Sequence, residues 1–185
     1  MTTAVTPPAT GIAPHLRRLY LVRFGFAIVW AVLLVLTGRQ LGPVAAVLVV
    51  LYPLFDVVAA VVDARASRST PSTWGLYLNI AVSSLAAIGL GVAVASGVPA
   101  VLRVWGAWAV VAGLIQLAVG ISRRGLGGQW PMMLSGGISV FAGTGFVLMA
   151  GAADASLVSV AGYATLGGVF FLVSALRLGR ATGGR

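Results

Sequence analysis

The chain has 185 residues, 59% of them apolar and only 8% charged, where soluble domains carry roughly 45–50% and about 25%; its mean hydropathy is +1.05. That composition excludes a water-soluble single domain, a disordered region and a coiled coil, and it leaves room for six spans of about 20 residues each. The formal charge of +9 does not indicate nucleic-acid binding, because the 12 basic residues are all arginines set singly or in small groups between apolar runs, as topology signals are.

Residues 1–14, MTTAVTPPATGIAP, are polar and rich in Thr and Pro, with no basic n-region. They are expected to form a disordered cytoplasmic tail and not a cleaved signal peptide. Six apolar runs follow, at about Leu19–Thr37, Pro43–Val62, Trp74–Ala95, Val101–Ile121, Pro131–Ala150 and Leu157–Leu176. Gly, Pro and polar segments separate them. Runs this long must satisfy their own backbone in hydrocarbon, so they predict helices and not barrel strands.

Arginine placement sets the expected orientation. Arg17 and Arg18, Arg65 and Arg68, Arg123 and Arg124, and Arg177, Arg180 and Arg185 all fall on one side of the six spans. Arg39 stands alone on the other, while Arg23 and Arg103 lie inside spans. The positive-inside rule then puts both termini in the cytoplasm, with residues 15–180 as the membrane domain and 181–185 as a short tail. The outer connections are too short to hold a folded module.

The chain also repeats. Tyr52, Trp108 and Tyr163 open comparable halves of the even spans at offsets of 56 and 55, and Trp74/Trp130, Asn79/Ser135 and Ser83/Ser139 each stand 56 apart. The unit is a helical hairpin repeated three times in the same orientation, over about 16–66, 72–124 and 128–180. The predicted fold class is therefore an all-α membrane protein of six transmembrane helices, with both termini inside.

The strings WPMMLSGGISVFAG, AGYATLGGVFFLVSALRLGR, VWGAWAVVAGLIQLAVGISRR and LYPLFDVVAAVVDARAS resemble the short repeat of the HdeD-like bacterial membrane proteins. The resemblance covers roughly residues 16–180. It implies an inner-membrane location, an association with acid resistance and no established enzymatic activity. Where that family tends to carry Asp/Thr-Gly, this chain has Ala112-Gly113 and Gly167-Gly168, which leaves Asp56 as the only acid at that position.

Catalytic constellations are nearly empty. With no cysteine there is no disulfide, thiolate metal site or redox couple. Asp63 and Asp154 fall at opposite faces of the predicted topology and cannot act as an acid–base pair. His15, without companions, makes no metal site and reads as a solvated juxtamembrane residue. Neither an enzyme nor a cofactor is expected.

A polar layer is the informative feature. Arg23, Asp56, Asn79, Gln116 and Ser135 all fall about 7–14 Å in from the residues that mark the cytoplasmic ends, at 1.5 Å per residue. A charge facing lipid there costs at least about 2.5–3.5 kcal/mol, so Arg23 and Asp56 are expected to face inward and pair. Either the pair is a structural lock, with Asn79, Gln116 and Ser135 as interhelical glue, or Asp56 is a titratable relay group. Pro53 cannot donate to the carbonyl of Val49, so a kink or an accessible acceptor is expected beside Asp56.

Small residues form stripes: Gly106, Gly113 and Gly120 on span four, Ser83, Ala87 and Gly91 on span three, and Ser135, Ser139 and Gly143 on span five. Such faces let helix backbones approach closely, within the chain or in a homo-oligomer. Trp74 and Trp130 are expected to anchor span ends at the interface. The expected partners are the lipid bilayer and a second copy or a larger membrane complex. Three functions stay open: a non-enzymatic stress-tolerance protein, a small transporter or channel with an inner-leaflet polar path, and an assembly subunit.

Overall fold

The computed structural model describes residues 12–66, 74–122 and 130–183, and among them all regular structure is helical. The elements are α1 (Ile12–Thr37), α2 (Pro43–Ala66), α3 (Trp74–Ala93), α4 (Val98–Ser122), α5 (Trp130–Met149) and α6 (Val158–Gly183). Each coincides with one predicted run. Five carry apolar stretches long enough to cross a bilayer, whereas that of α5 is the shorter Met133–Met149. Arg68, Arg123, Arg124 and Arg185, on which the orientation partly rests, lie outside the described residues.

α2 runs to Ala66, past Val62, and α4 begins at Val98, before Val101, but two other ends lie furthest from expectation. α1 begins at Ile12, so Ile12, Ala13 and Pro14 are helical and not part of the tail; Pro14 is tolerated in the first turn, where an N–H would have no intrahelical partner. α6 runs on to Gly183, past the predicted edge at Leu176. Between α3 and α4 a short 3-10 turn, Val94–Ser96, ends at Gly97 with φ of 86°. Only glycine adopts that conformation without steric strain, and Pro99 then supplies the fixed φ suited to a helix start.

Each helix packs on its chain neighbours, and α1 closes the ring against α6. The broadest interfaces are α4–α5, α1–α6 and α2–α3, and the predicted hairpin partners α1–α2, α3–α4 and α5–α6 share less surface. The hairpin is thus the sequence unit but not the tightest packing unit. Glycine explains the broadest seam. A methyl group on Gly106 would lie 2.5 Å from the Gly143 carbonyl oxygen, and one on Gly113 would lie 2.6 Å from that of Gly136. Backbones this close gain dispersion contacts that lipid cannot match.

The centre is aromatic. Trp30 stacks on Trp105 at 5.5 Å, Trp108 meets Trp105 edge-on at 5.2 Å, and Tyr52 packs against Trp30 at 4.7 Å. Such pairs contribute about 0.5–1.5 kcal/mol each beyond their area. The outward faces are apolar too, with Phe141 84% and Leu36 74% exposed. A soluble protein rarely exposes so much apolar surface, whereas a hydrocarbon solvent favours it.

Candidate functional site: a carboxylate shared among helices

Asp56 sits mid-way along α2 and gathers donors from two other helices. Arg23 on α1 donates from Nη2 to Oδ1 at 2.7 Å and to the Asp56 carbonyl oxygen at 3.4 Å. Asn79 and Ser83 stand one turn apart on one face of α3, as i, i+4 residues do. Asn79 Nδ2 donates to Oδ2 at 2.7 Å and Ser83 Oγ to the same oxygen at 2.8 Å. From α4, Trp108 Nε1 donates to Ser83 Oγ at 3.1 Å.

The chemistry of the donors fixes the direction of this chain. An indole N–H can only donate, so the Ser83 hydroxyl accepts from Trp108 and directs its own O–H as a donor to Asp56. A guanidinium likewise only donates. Both Asp56 oxygens are therefore acceptors, the pattern of an ionised carboxylate whose charge is matched by Arg23. Little water reaches the pair, whose side chains are 15% and 20% exposed. On its other side the Arg23 guanidinium lies 4.8 Å from the centre of the Phe171 ring on α6, a cation–π contact strengthened by desolvation. Its Nε is buried without a partner.

Of the five polar residues expected at one depth, the structure brings Arg23, Asp56 and Asn79 together. Gln116 and Ser135 are half-buried, and among the described residues neither hydrogen-bonds to the Asp56 cluster. Depth along a helix does not specify direction around it, and these two belong to α4 and α5. Ser83, expected as a packing residue, is fully buried and bonded to Asp56. Its signal was available: it follows Asn79 by one helical turn.

The small-residue stripes divide in the same way. Gly106 and Gly113 meet Gly143 and Gly136 within the chain, Ala87 and Gly120 are buried, and Ser139 accepts from Tyr163 OH at 2.9 Å. Gly91 departs from the expectation. A Cβ there would meet nothing, and Gly91 lines an open apolar groove of about 360 Å³ with Leu51 and Leu54. Pro53 is fully buried inside a continuous α2. One residue before Val49, the Leu48 carbonyl accepts from Trp30 Nε1 at 2.7 Å. Trp74 and Trp130 are exposed at the starts of α3 and α5.

No group of three or more His, Asp or Glu side chains that could hold a metal is present among the described residues. The long apolar helices mark the chain as an all-helical, multi-pass membrane protein. Compared with protein-family models, with curated proteins and with solved structures, the chain matches none.

Proposed function

We propose that the chain is a non-enzymatic inner-membrane protein of the HdeD-like kind, with both termini cytoplasmic, contributing to acid or envelope stress tolerance. In this reading the Asp56 cluster is a structural lock within the membrane body and not a transport path. The observation that carries it is the saturation of Asp56: both oxygens are taken by Arg23, Asn79 and Ser83, and Ser83 is itself pinned by Trp108. A proton path is usually built from several intramembrane acids or histidines in series, and among the described residues Asp56 is the acid in the interior of a span, with Asp63 three residues from the end of α2 and Asp154 in the α5–α6 connection.

Three repeated hairpins are supported by a recurring bond. Trp108 to Ser83 joins α4 to α3, and Tyr163 to Ser139 joins α6 to α5 at the equivalent positions. Tyr52 and Ala27 occupy those positions in the first unit, where alanine offers no acceptor. The stress role comes from the resemblance of the repeat strings.

The test is cytoplasmic pH after an external acid shock, in a deletion strain carrying wild type, Asp56→Asn or an empty vector. Restoration by wild type and by an equally expressed variant supports both the stress role and the lock. Restoration by wild type alone, with Asp56→Asn equally abundant and as thermally stable as wild type, turns Asp56 into a working group and sinks the lock reading. Loss of function with loss of the folded protein, rescued by Arg23→Gln/Asp56→Asn, supports the lock. If wild type does not differ from the empty vector, the acid-tolerance role is wrong.

A further inference from the structure

The seam between α1 and α6 runs antiparallel, with Gly168 facing Ala27, Phe171 beside Tyr20 and Arg23, and the Arg17 guanidinium over Gly179. A Cβ on Gly179 would stand 3.0 Å from Arg17 Nε. That register gathers Arg17, Arg18, Arg177 and Arg180 at one end of the ring, all four exposed. Arg65, at the end of α2, adds a fifth exposed charge. Among the described residues Asp63 is the carboxylate at this end, and it is already engaged.

Two apolar lines lead to the same end. On α1, Val32, Val29 and Val22 are exposed, and their spacing of three to four residues per turn continues through Gly25 to Arg18. On α6, Val169, Val173 and Leu176 are exposed, and the next position on that line is Arg180. Each helix therefore presents a lipid-facing stripe that terminates in a guanidinium. A diacyl phospholipid has the matching form, two hydrocarbon chains below one phosphate. Guanidinium forks fit phosphate oxygens in pairs, and basic clusters beside membrane helices attract anionic headgroups.

We propose that the basic end of the α1–α6 seam is a binding site for an anionic phospholipid. Arg17, Arg18, Arg177 and Arg180 hold the headgroup phosphate, and the acyl chains lie along the two valine-rich lines. The site requires that the chain spans a membrane, but neither a particular orientation nor a role in acid tolerance.

Native mass spectrometry of the full chain in detergent, with phosphatidylglycerol, phosphatidylcholine or inorganic phosphate added, tests it. Phosphatidylglycerol is expected to be retained about tenfold more than phosphatidylcholine, with retention falling as salt is raised. Arg17→Gln/Arg177→Gln/Arg180→Gln should lower retention to the phosphatidylcholine level, and Arg39→Gln/Arg103→Gln, at the opposite end, should leave it unchanged. Equal retention of the two lipids, or a triple variant that retains phosphatidylglycerol like wild type, overturns the site. Protection from unfolding by inorganic phosphate equal to that by phosphatidylglycerol overturns it as a lipid site. Should the triple variant fail to fold, Arg180→Gln alone decides, with a few-fold loss expected and no loss overturning the proposal.

Discussion

Trp108 and Asp56 are coupled through a single hydroxyl: the indole N–H of Trp108 donates to Ser83 Oγ at 3.1 Å, and the Ser83 hydroxyl in turn donates to Asp56 Oδ2 at 2.8 Å. The indole end of this hydrogen-bond relay cannot reverse, because an indole N–H only donates. The aromatic centre and the charged cluster are therefore joined by hydrogen bonds and ring contacts across α1, α2, α3 and α4.

Ser83→Ala should cost about 1–2 kcal/mol of stability in detergent, since it leaves a buried indole N–H unpartnered and removes a donor from Asp56. Trp108→Phe should cost less on the hydrogen-bond side alone. In the double variant the losses should fall short of additivity by about 0.5 kcal/mol or more. Strict additivity in a thermal-unfolding cycle would show that the relay carries no energy.

Breaking the ion pair leaves one charge buried. Asp56→Asn strips Arg23 of its anion, and Arg23→Gln strips Asp56 of its cation; each should destabilise by roughly 3 kcal/mol. The double variant Arg23→Gln/Asp56→Asn should recover much of either loss, because a neutral amide pair can still hydrogen-bond. A double variant as unstable as the two losses combined would contradict pairing as the reason for the cost.

Glycines sort by what a methyl group would meet. Gly106→Ala and Gly113→Ala place a carbon against the Gly143 and Gly136 carbonyl oxygens, so each should cost about 1–3 kcal/mol through overpacking of α4 on α5. Gly91→Ala and Gly145→Ala enter open space and should be neutral or stabilising by up to about 1 kcal/mol, since alanine is the better helix former. Expression level and melting temperature across the four variants separate the two classes.

Trp30→Phe removes the bond to the Leu48 carbonyl while keeping a ring against Tyr52 and Trp105, and should cost about 1 kcal/mol. Trp30→Ala also empties a fully buried site and should cost about 3–5 kcal/mol. Near-equal losses would mean that the hydrogen bond, and not the ring packing, dominates at this position.

The six helices were legible because apolar run length and Gly/Pro breakers are local signals. The Arg23–Asp56 pair and Asn79 were legible from depth, since 1.5 Å per residue converts sequence distance into height in a bilayer. Gln116 and Ser135 share that height but not the cluster, because height says nothing about which neighbour a residue faces. Neighbour choice is a property of helix packing. The sequence pointed to α1–α2, α3–α4 and α5–α6 hairpins, whereas the close approach of Gly113 to Gly136 and of Gly168 to Ala27 places the broadest contacts between consecutive hairpins and across the ring closure. Ser83 was missed for a related reason. A serine in a small-residue stripe looks like packing until the carboxylate opposite it is known.

The closure of α1 on α6 also bears on how the molecule is made. As the chain leaves the ribosome, α1 can find Asp56 as soon as α2 follows, so its charge is neutralised early. The broad flank that will receive Gly168 and Phe171 has no partner until α6 has been synthesised and inserted. During that interval the nascent protein carries an unsealed edge along its first helix. Any truncation before α6 makes that interval permanent, leaving α1 held by α2 and α4 on one side and uncovered along the flank that Gly168 and Phe171 would fill.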